Sequence, residues 1–211
     1  MTTFTSPFEL VWMASQAIGT PHASAVQSAN PDLRTHTFYY PQASEERGTA
    51  WRNGDRNIRN AWRDLRGKII ADAVLFFDWD VFANVDLAAV IPTMPAGVGM
   101  LAARVFLPVR DARSCQPFSE VGKLPRDMAA VGVEPLGCML LTRGALDALL
   151  DPIHDPLFNA DVFSELRLPS VVTACGYQVS AMDLPHLATT PMTVPAGAKG
   201  IFHPVKNTVT Q

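Results

Sequence analysis

Residues 73–77 read Ala-Val-Leu-Phe-Phe, an unbroken apolar run of strand length that stops on Asp78-Trp79-Asp80 and turns apolar again at Val81-Phe82. A strand with one wet face alternates polar and apolar side chains, because successive residues point to opposite sides. A run without alternation predicts a strand covered on both faces, as in a sheet with helices packed above and below. Two carboxylates directly after such a strand are expensive to bury and need a partner.

The rest of the chain supplies the covering elements. Residues 8–15 and 35–40 read as strands, with a loop and a short helix between them. Over residues 52–68, Ile58, Ala61, Trp62 and Leu65 recur at helical spacing, and Gly67 is placed to end the helix. Further strands are expected within 98–107, at 136–141 and at 177–181, and helices at 143–150 and 161–175. From Thr189 the chain is rich in Pro, Gly and Thr and reads as loop. Strands and helices alternate, which predicts an α/β fold: a three-layer α/β/α sandwich around a central, mostly parallel mixed sheet. In such folds ligands bind outside the carboxyl ends of the strands. Asp78 and Asp80 fall at one of those ends.

Composition removes several classes. Of 211 residues 48% are hydrophobic and 18% charged, so the chain can bury a large core. A net charge of −3 provides no global field for nucleic acid. Cys115, Cys138 and Cys175 are odd in number and lack metal-ligand spacing, which speaks against a disulfide framework or zinc site and for a reducing compartment. No apolar stretch is long enough to span a membrane and no signal peptide is visible, so a cytoplasmic protein is expected. The absence of a G-x-x-x-x-G-K-[ST] loop argues against a phosphotransferase with a phosphate-cradling loop.

In an extended segment Asp78 and Asp80 point to one side and Trp79 to the other. Two carboxylates on one side repel unless a cation bridges them. Mg²⁺ and Mn²⁺ take oxygen ligands and complete their shells with substrate phosphates, so the pair predicts a metal–diphosphate site. The plainer reading is one Asp capping a turn and one in solvent.

The stretch Val74-Leu75-Phe76-Phe77-Asp78-Trp79-Asp80 resembles the strand and D-x-D motif of GT-A glycosyltransferases, which use nucleotide-sugar donors. Four further stretches follow in the family's order. Asp55-Arg56-Asn57 resembles its A-R-N element, with Asp55 where a small residue is usual. Glu134-Pro135-Leu136-Gly137-Cys138 resembles a segment on the acceptor side of the pocket. Ser164-Glu165, eleven residues before Gly176, resembles an acidic pair whose second member is the base in inverting enzymes, with Ser164 in the first acidic position. Gly200-Ile201-Phe202-His203-Pro204-Val205-Lys206 resembles the C-terminal segment whose His completes the metal shell.

The resemblance implies one GT-A-like (Rossmann-like) domain over 1–211. Its donor half covers about residues 1–107, its acceptor and catalytic half about 108–188, and its metal- and diphosphate-binding tail about 189–211. It implies Mn²⁺ or Mg²⁺ on Asp80, Asp78 and His203, with His186 as the competing ligand. Ser15, Arg56, Asn57, Asp78, Trp79, Asp80 and Lys206 fall on the nucleotide side, and Glu134, Leu136 and Gly137 on the acceptor side. Glu165 is the implied base, with Asp161 as substitute. The donor is a nucleoside-diphosphate sugar, most commonly of UDP; the acceptor is a glycan, a small molecule or a modified nucleic acid. Arg52, Arg56, Arg59, Arg63 and Arg66 line one helix stripe. That stripe is either a solvated face or a seat for a polyanionic acceptor such as modified DNA. A non-catalytic nucleotide-sugar-binding module is the remaining alternative.

Overall fold

The computed structural model describes residues 7–40, 51–106, 116–182, 184, 187–188, 194 and 197–205. A six-stranded sheet forms its centre. β1 (Glu9–Ala14) pairs in parallel with β2 (Thr35–Tyr39) on one side and β3 (Ala73–Asp78) on the other. The order is β2-β1-β3-β6-β5-β7, with β5 at Val98–Phe106, β6 at Gly132–Thr142 and β7 at Gln178–Ala181. β6 pairs antiparallel with both its neighbours and alone opposes the direction of the other five. Its centre is buried on both faces, so its apolar run has the same signature as a parallel strand's.

Helices cover both faces. On one lie α2 (Gly54–Leu65), α4 (Arg143–Leu149) and α6 (Ser164–Ala174); on the other lie α1 (Ala23–Ala29) and the short α3 (Leu87–Val90). A small helix, α5, spans Asp155–Asn159. β3 shows why its sequence does not alternate. Val74 and Phe76 enter a core with Ile58, Trp62, Leu146 and Val171, while Leu75 and Phe77 enter a second core with Val26 and Leu87. The expected face of α2 (Ile58, Ala61, Trp62 and Leu65) is the buried one, and the Trp62 indole N–H reaches Asp147 Oδ1 at 2.8 Å.

Two expectations change. The helix expected from 161 begins at Ser164, because residues 155–163 are occupied by α5 and a turn; Asp161 therefore precedes α6 and shares no face with Glu165. The tail expected as loop contains β9 (Ile201–Phe202), which joins β4 (Phe82–Ala83) antiparallel and β8 (Leu187–Ala188) in parallel. This small sheet brings the C-terminal segment back to the D-x-D stretch.

Candidate active site at the carboxyl edge of the sheet

β3 ends on Asp78, and Trp79-Asp80 form a turn rather than further strand; the Val81 N–H bonds the Asp78 carbonyl at 3.0 Å. Asp80 is buried, 4% exposed. Asp78 lies opposite Met13 of β1, and Ala14 opposite Tyr39 of β2, so three strand ends meet here. The hydroxyl of buried Tyr40, just past β2, donates to Asp78 Oδ1. Ser15 Oγ accepts the N–H groups of Ala17 and Ile18, at 3.2 and 3.3 Å, and so shapes the turn leaving β1.

His203 arrives from the far end of the sequence. Phe82 pairs with Phe202, and the Val205 N–H bonds the Asp80 carbonyl at 2.7 Å, which sets His203 beside Asp80. The buried ring of His22 approaches the Val205 carbonyl at 3.1 Å and pins the same segment from α1's side. His203 Nε2 stands 3.2 Å from Asp80 Oδ1. One potential ligand atom from each of Asp78, Asp80 and His203 lies within 4.8 Å of the others. Two carboxylates and an imidazole, converging from three points of the chain, fit a divalent cation that accepts oxygen and nitrogen.

β6 closes the site from the side. Phe77 pairs with Cys138, which brings Gly137 to the end of β3. Gly137 lies against the His203 ring: a Cβ there would be 2.6 Å from Cδ2. Glu165, in the first turn of α6, lies near the Leu136 backbone N–H, Glu134 and His203. Burial, and then the Glu134 carboxylate, push its carboxyl up to about 7, against the opposing pull of His203 and the Leu136 N–H. A carboxyl poised there can exchange a proton near neutral pH.

Other sequence candidates lie as follows. Trp79 packs on the core shared with α2, α4 and α6, and Leu136 and Glu134 are half-buried. Asn57 is buried, and its Nδ2 has no hydrogen-bond partner among the described residues. The Arg56 guanidinium donates to the Phe158 and Ala160 carbonyls. Asp161 is 82% exposed and paired with Arg52 at 2.9 Å and Lys123 at 3.4 Å; Arg52 in particular pulls its pKa down. Lys206 and His186 lie outside the described residues.

Three of the stripe's five arginines are engaged within the protein, so the stripe is not simply a solvated face. Arg52 meets Glu120 and Asp161 and caps the Phe163 ring, Arg56 meets the two carbonyls, and Arg59 bonds Leu149 O at 2.7 Å and Asp155 at 2.5 Å. These arginines sew α2 to residues 149–163; only Arg63 and Arg66 of the stripe are exposed. Tyr40 and His22 were absent from the expected site. Tyr40 has a readable signal, since it ends the strand beside β1, whereas His22 has none without the returning tail.

No family model and no curated protein matches the chain. Solved structures do. The galactosyltransferase LgtC, solved with donor and acceptor sugar analogs, is 16% identical with a TM-score of 0.52, over 93% of this chain and 86% of that one. A glycosyltransferase involved in glycosylation of the PBCV-1 major capsid is 10% identical with a TM-score of 0.52, over 92% and 94%. The chain thus has the GT-A glycosyltransferase fold. Among the described residues no helix is long and apolar enough to cross a membrane.

Proposed function

We propose that this protein transfers a sugar from a nucleoside-diphosphate sugar, a UDP-sugar, to an acceptor hydroxyl with inversion. The observation that carries the reading is the convergence of Asp78, Asp80 and His203 at the carboxyl edge of a GT-A sheet, with the Glu165 carboxyl facing His203. Asp78, Asp80 and His203 hold Mn²⁺ or Mg²⁺. When bound, that cation offsets charge on the departing diphosphate. Tyr40 and the small β4–β9 sheet keep the ligand groups in place, and buried Asn57 offers an unused amide N–H to the donor. Glu165 takes the acceptor proton as that oxygen forms its bond to the anomeric carbon and the carbon–phosphate-oxygen bond breaks. The acceptor lies against Glu134 and Leu136.

The internal ties of Arg52, Arg56 and Arg59 favour a neutral acceptor over a nucleic acid. Donor turnover on a panel of nucleotide sugars and neutral acceptors, with product stereochemistry followed by proton NMR, tests the reading. An inverted anomeric centre, lost in Glu165→Gln with donor binding intact, supports it. A retained configuration contradicts the inverting assignment, and binding without turnover in any condition points to a non-catalytic nucleotide-sugar module.

A further inference from the structure

The largest fully buried charged side chain among the described residues stands two residues from the proposed base. Arg167 is fully buried, and its guanidinium forks onto Asp55, which is 0% exposed; Nη2 meets Oδ1 at 2.7 Å and Nε meets Oδ2. The same guanidinium donates to the Ala160 carbonyl, and Nη2 reaches the Arg52 carbonyl at 3.5 Å. One side chain on α6 thereby grips the start of α2, the turn before α2 and the turn before α6.

Stability alone is a weak reason for such a pair. Desolvating two ions costs several kcal/mol each, and well-packed apolar replacements are often neutral or stabilising. What a bidentate fork adds is a fixed geometry. Here that geometry bears on Glu165. Residues i and i+2 of a helix point about 200° apart. Arg167 facing α2 therefore turns Glu165 to the opposite side, toward β6, where its carboxyl lies near the Leu136 N–H.

The first turn of α6 needs this anchor. Pro169 lies inside the helix and has no N–H to give to the Glu165 carbonyl four residues back. The helix entrance is also close to α2: a Cβ on Gly54 would lie 3.6 Å from Ser164 Oγ.

We infer that the Asp55–Arg167 pair is a positioning device that sets the rotation of α6 and so aims Glu165 at the site. The inference rests on the glycosyl-transfer reading of Glu165 for its kinetic consequence, but the aim of the side chain has its own readout. The Leu136 amide, beside the Glu165 carboxyl, reports that aim by hydrogen exchange in NMR.

The test compares wild type with the double replacement Asp55→Leu/Arg167→Met and with Arg167→Lys, which keeps the charge and loses the fork. The expected result for both is a folded protein with donor KM within about twofold of wild type, kcat lower by about a hundredfold, and faster exchange at Leu136 with β3 amides unchanged. Wild-type kcat and Leu136 protection in a folded double variant would overturn the inference. If the double variant does not fold, Arg167→Lys decides by the same two readouts. Wild type without turnover on any donor would overturn the glycosyl-transfer reading, and Leu136 exchange would still decide the positioning role.

Discussion

Gly137 and His203 share one volume. A Cβ on Gly137 would sit 2.6 Å from Cδ2 and 2.7 Å from Cε1 of the imidazole. Real Cβ contacts never come so close, so one side must move. Gly137 is glycine because a ring occupies the space where its side chain would be, and that ring belongs to a proposed metal ligand.

Gly137→Ala is therefore expected to push His203 off Asp80. Its Mn²⁺ affinity should fall by about 10–100-fold, the range seen when groups orienting a ligand are changed. Metal-free melting should move little, because the ring is 15% exposed and can yield toward solvent. Calorimetric titration with Mn²⁺ checks this; unchanged affinity would detach Gly137 from the metal site.

Glu165 gives a pH prediction with a definite sign. Its folded pKa is raised, so between the ordinary carboxyl range and about pH 7 the folded state holds a proton the unfolded chain has lost. Stability from this group is present at low pH, falls as pH rises toward 7, and is flat above. Glu165→Gln removes the charge that burial and Glu134 disfavour. It is expected to stabilise the metal-free protein by about 1–3 kcal/mol at pH 8 and to do little at pH 4, while abolishing turnover. Chemical denaturation at the two pH values measures it; equal effects at both would contradict the assignment.

Glu9 behaves oppositely at the other end of β1. Burial works against its ionisation, yet His36 at 2.6 Å and the N–H groups of Ile70 and Ala71 outweigh it, and its pKa falls below the usual carboxyl range. This stability is present above the unfolded pKa and is lost as pH falls through the folded one. Glu9→Gln should cost about 1–3 kcal/mol at pH 7 and nearly nothing at pH 2, as read from urea melts.

Much of this was legible in the sequence, for identifiable reasons. Val74, Leu75, Phe76 and Phe77 announce a strand covered on both faces because nothing in them is polar, and the α2 face is periodic enough to name its buried residues. Asp78, Asp80, His203 and Glu165 were nominated from motif order, and the structure brings them together. The direction of β6 was not legible, because a strand buried on both faces reads alike either way. β4 and β9 are two residues each, too short for periodicity, so the returning tail looked like loop. The fate of Arg52, Arg56 and Arg59 was not legible either, since their partners, Glu120 and residues 149–161, lie 68 to 109 residues away and one turn looks much like another until it packs.

The exposed ends of the stripe should matter little. Among the described residues Arg63 bonds only Asn60, on its own helix, at 3.0 Å. Arg63→Ala and Arg66→Ala are expected to stay within about 0.5 kcal/mol of wild type, whereas Arg59→Ala, which strands the buried Leu149 carbonyl and unpairs Asp155, should cost about 2 kcal/mol or more. Thermal melts of the three variants decide; a large loss in the exposed pair would mean the stripe has a role that its contacts do not show.

The central claim is that Asp78, Asp80 and His203 form a metal-dependent nucleotide site. The most direct measurement is a thermal-shift screen of nucleoside diphosphates, with and without Mn²⁺, on wild type and Asp80→Ala. A ligand at a hundredfold excess over Kd adds about 2.7 kcal/mol of apparent stability. The predicted result is a shift that needs Mn²⁺, favours one nucleotide and vanishes in a folded Asp80→Ala variant. A folded wild type that shifts with no nucleotide in the presence of Mn²⁺, or a shift that survives Asp80→Ala, would contradict it.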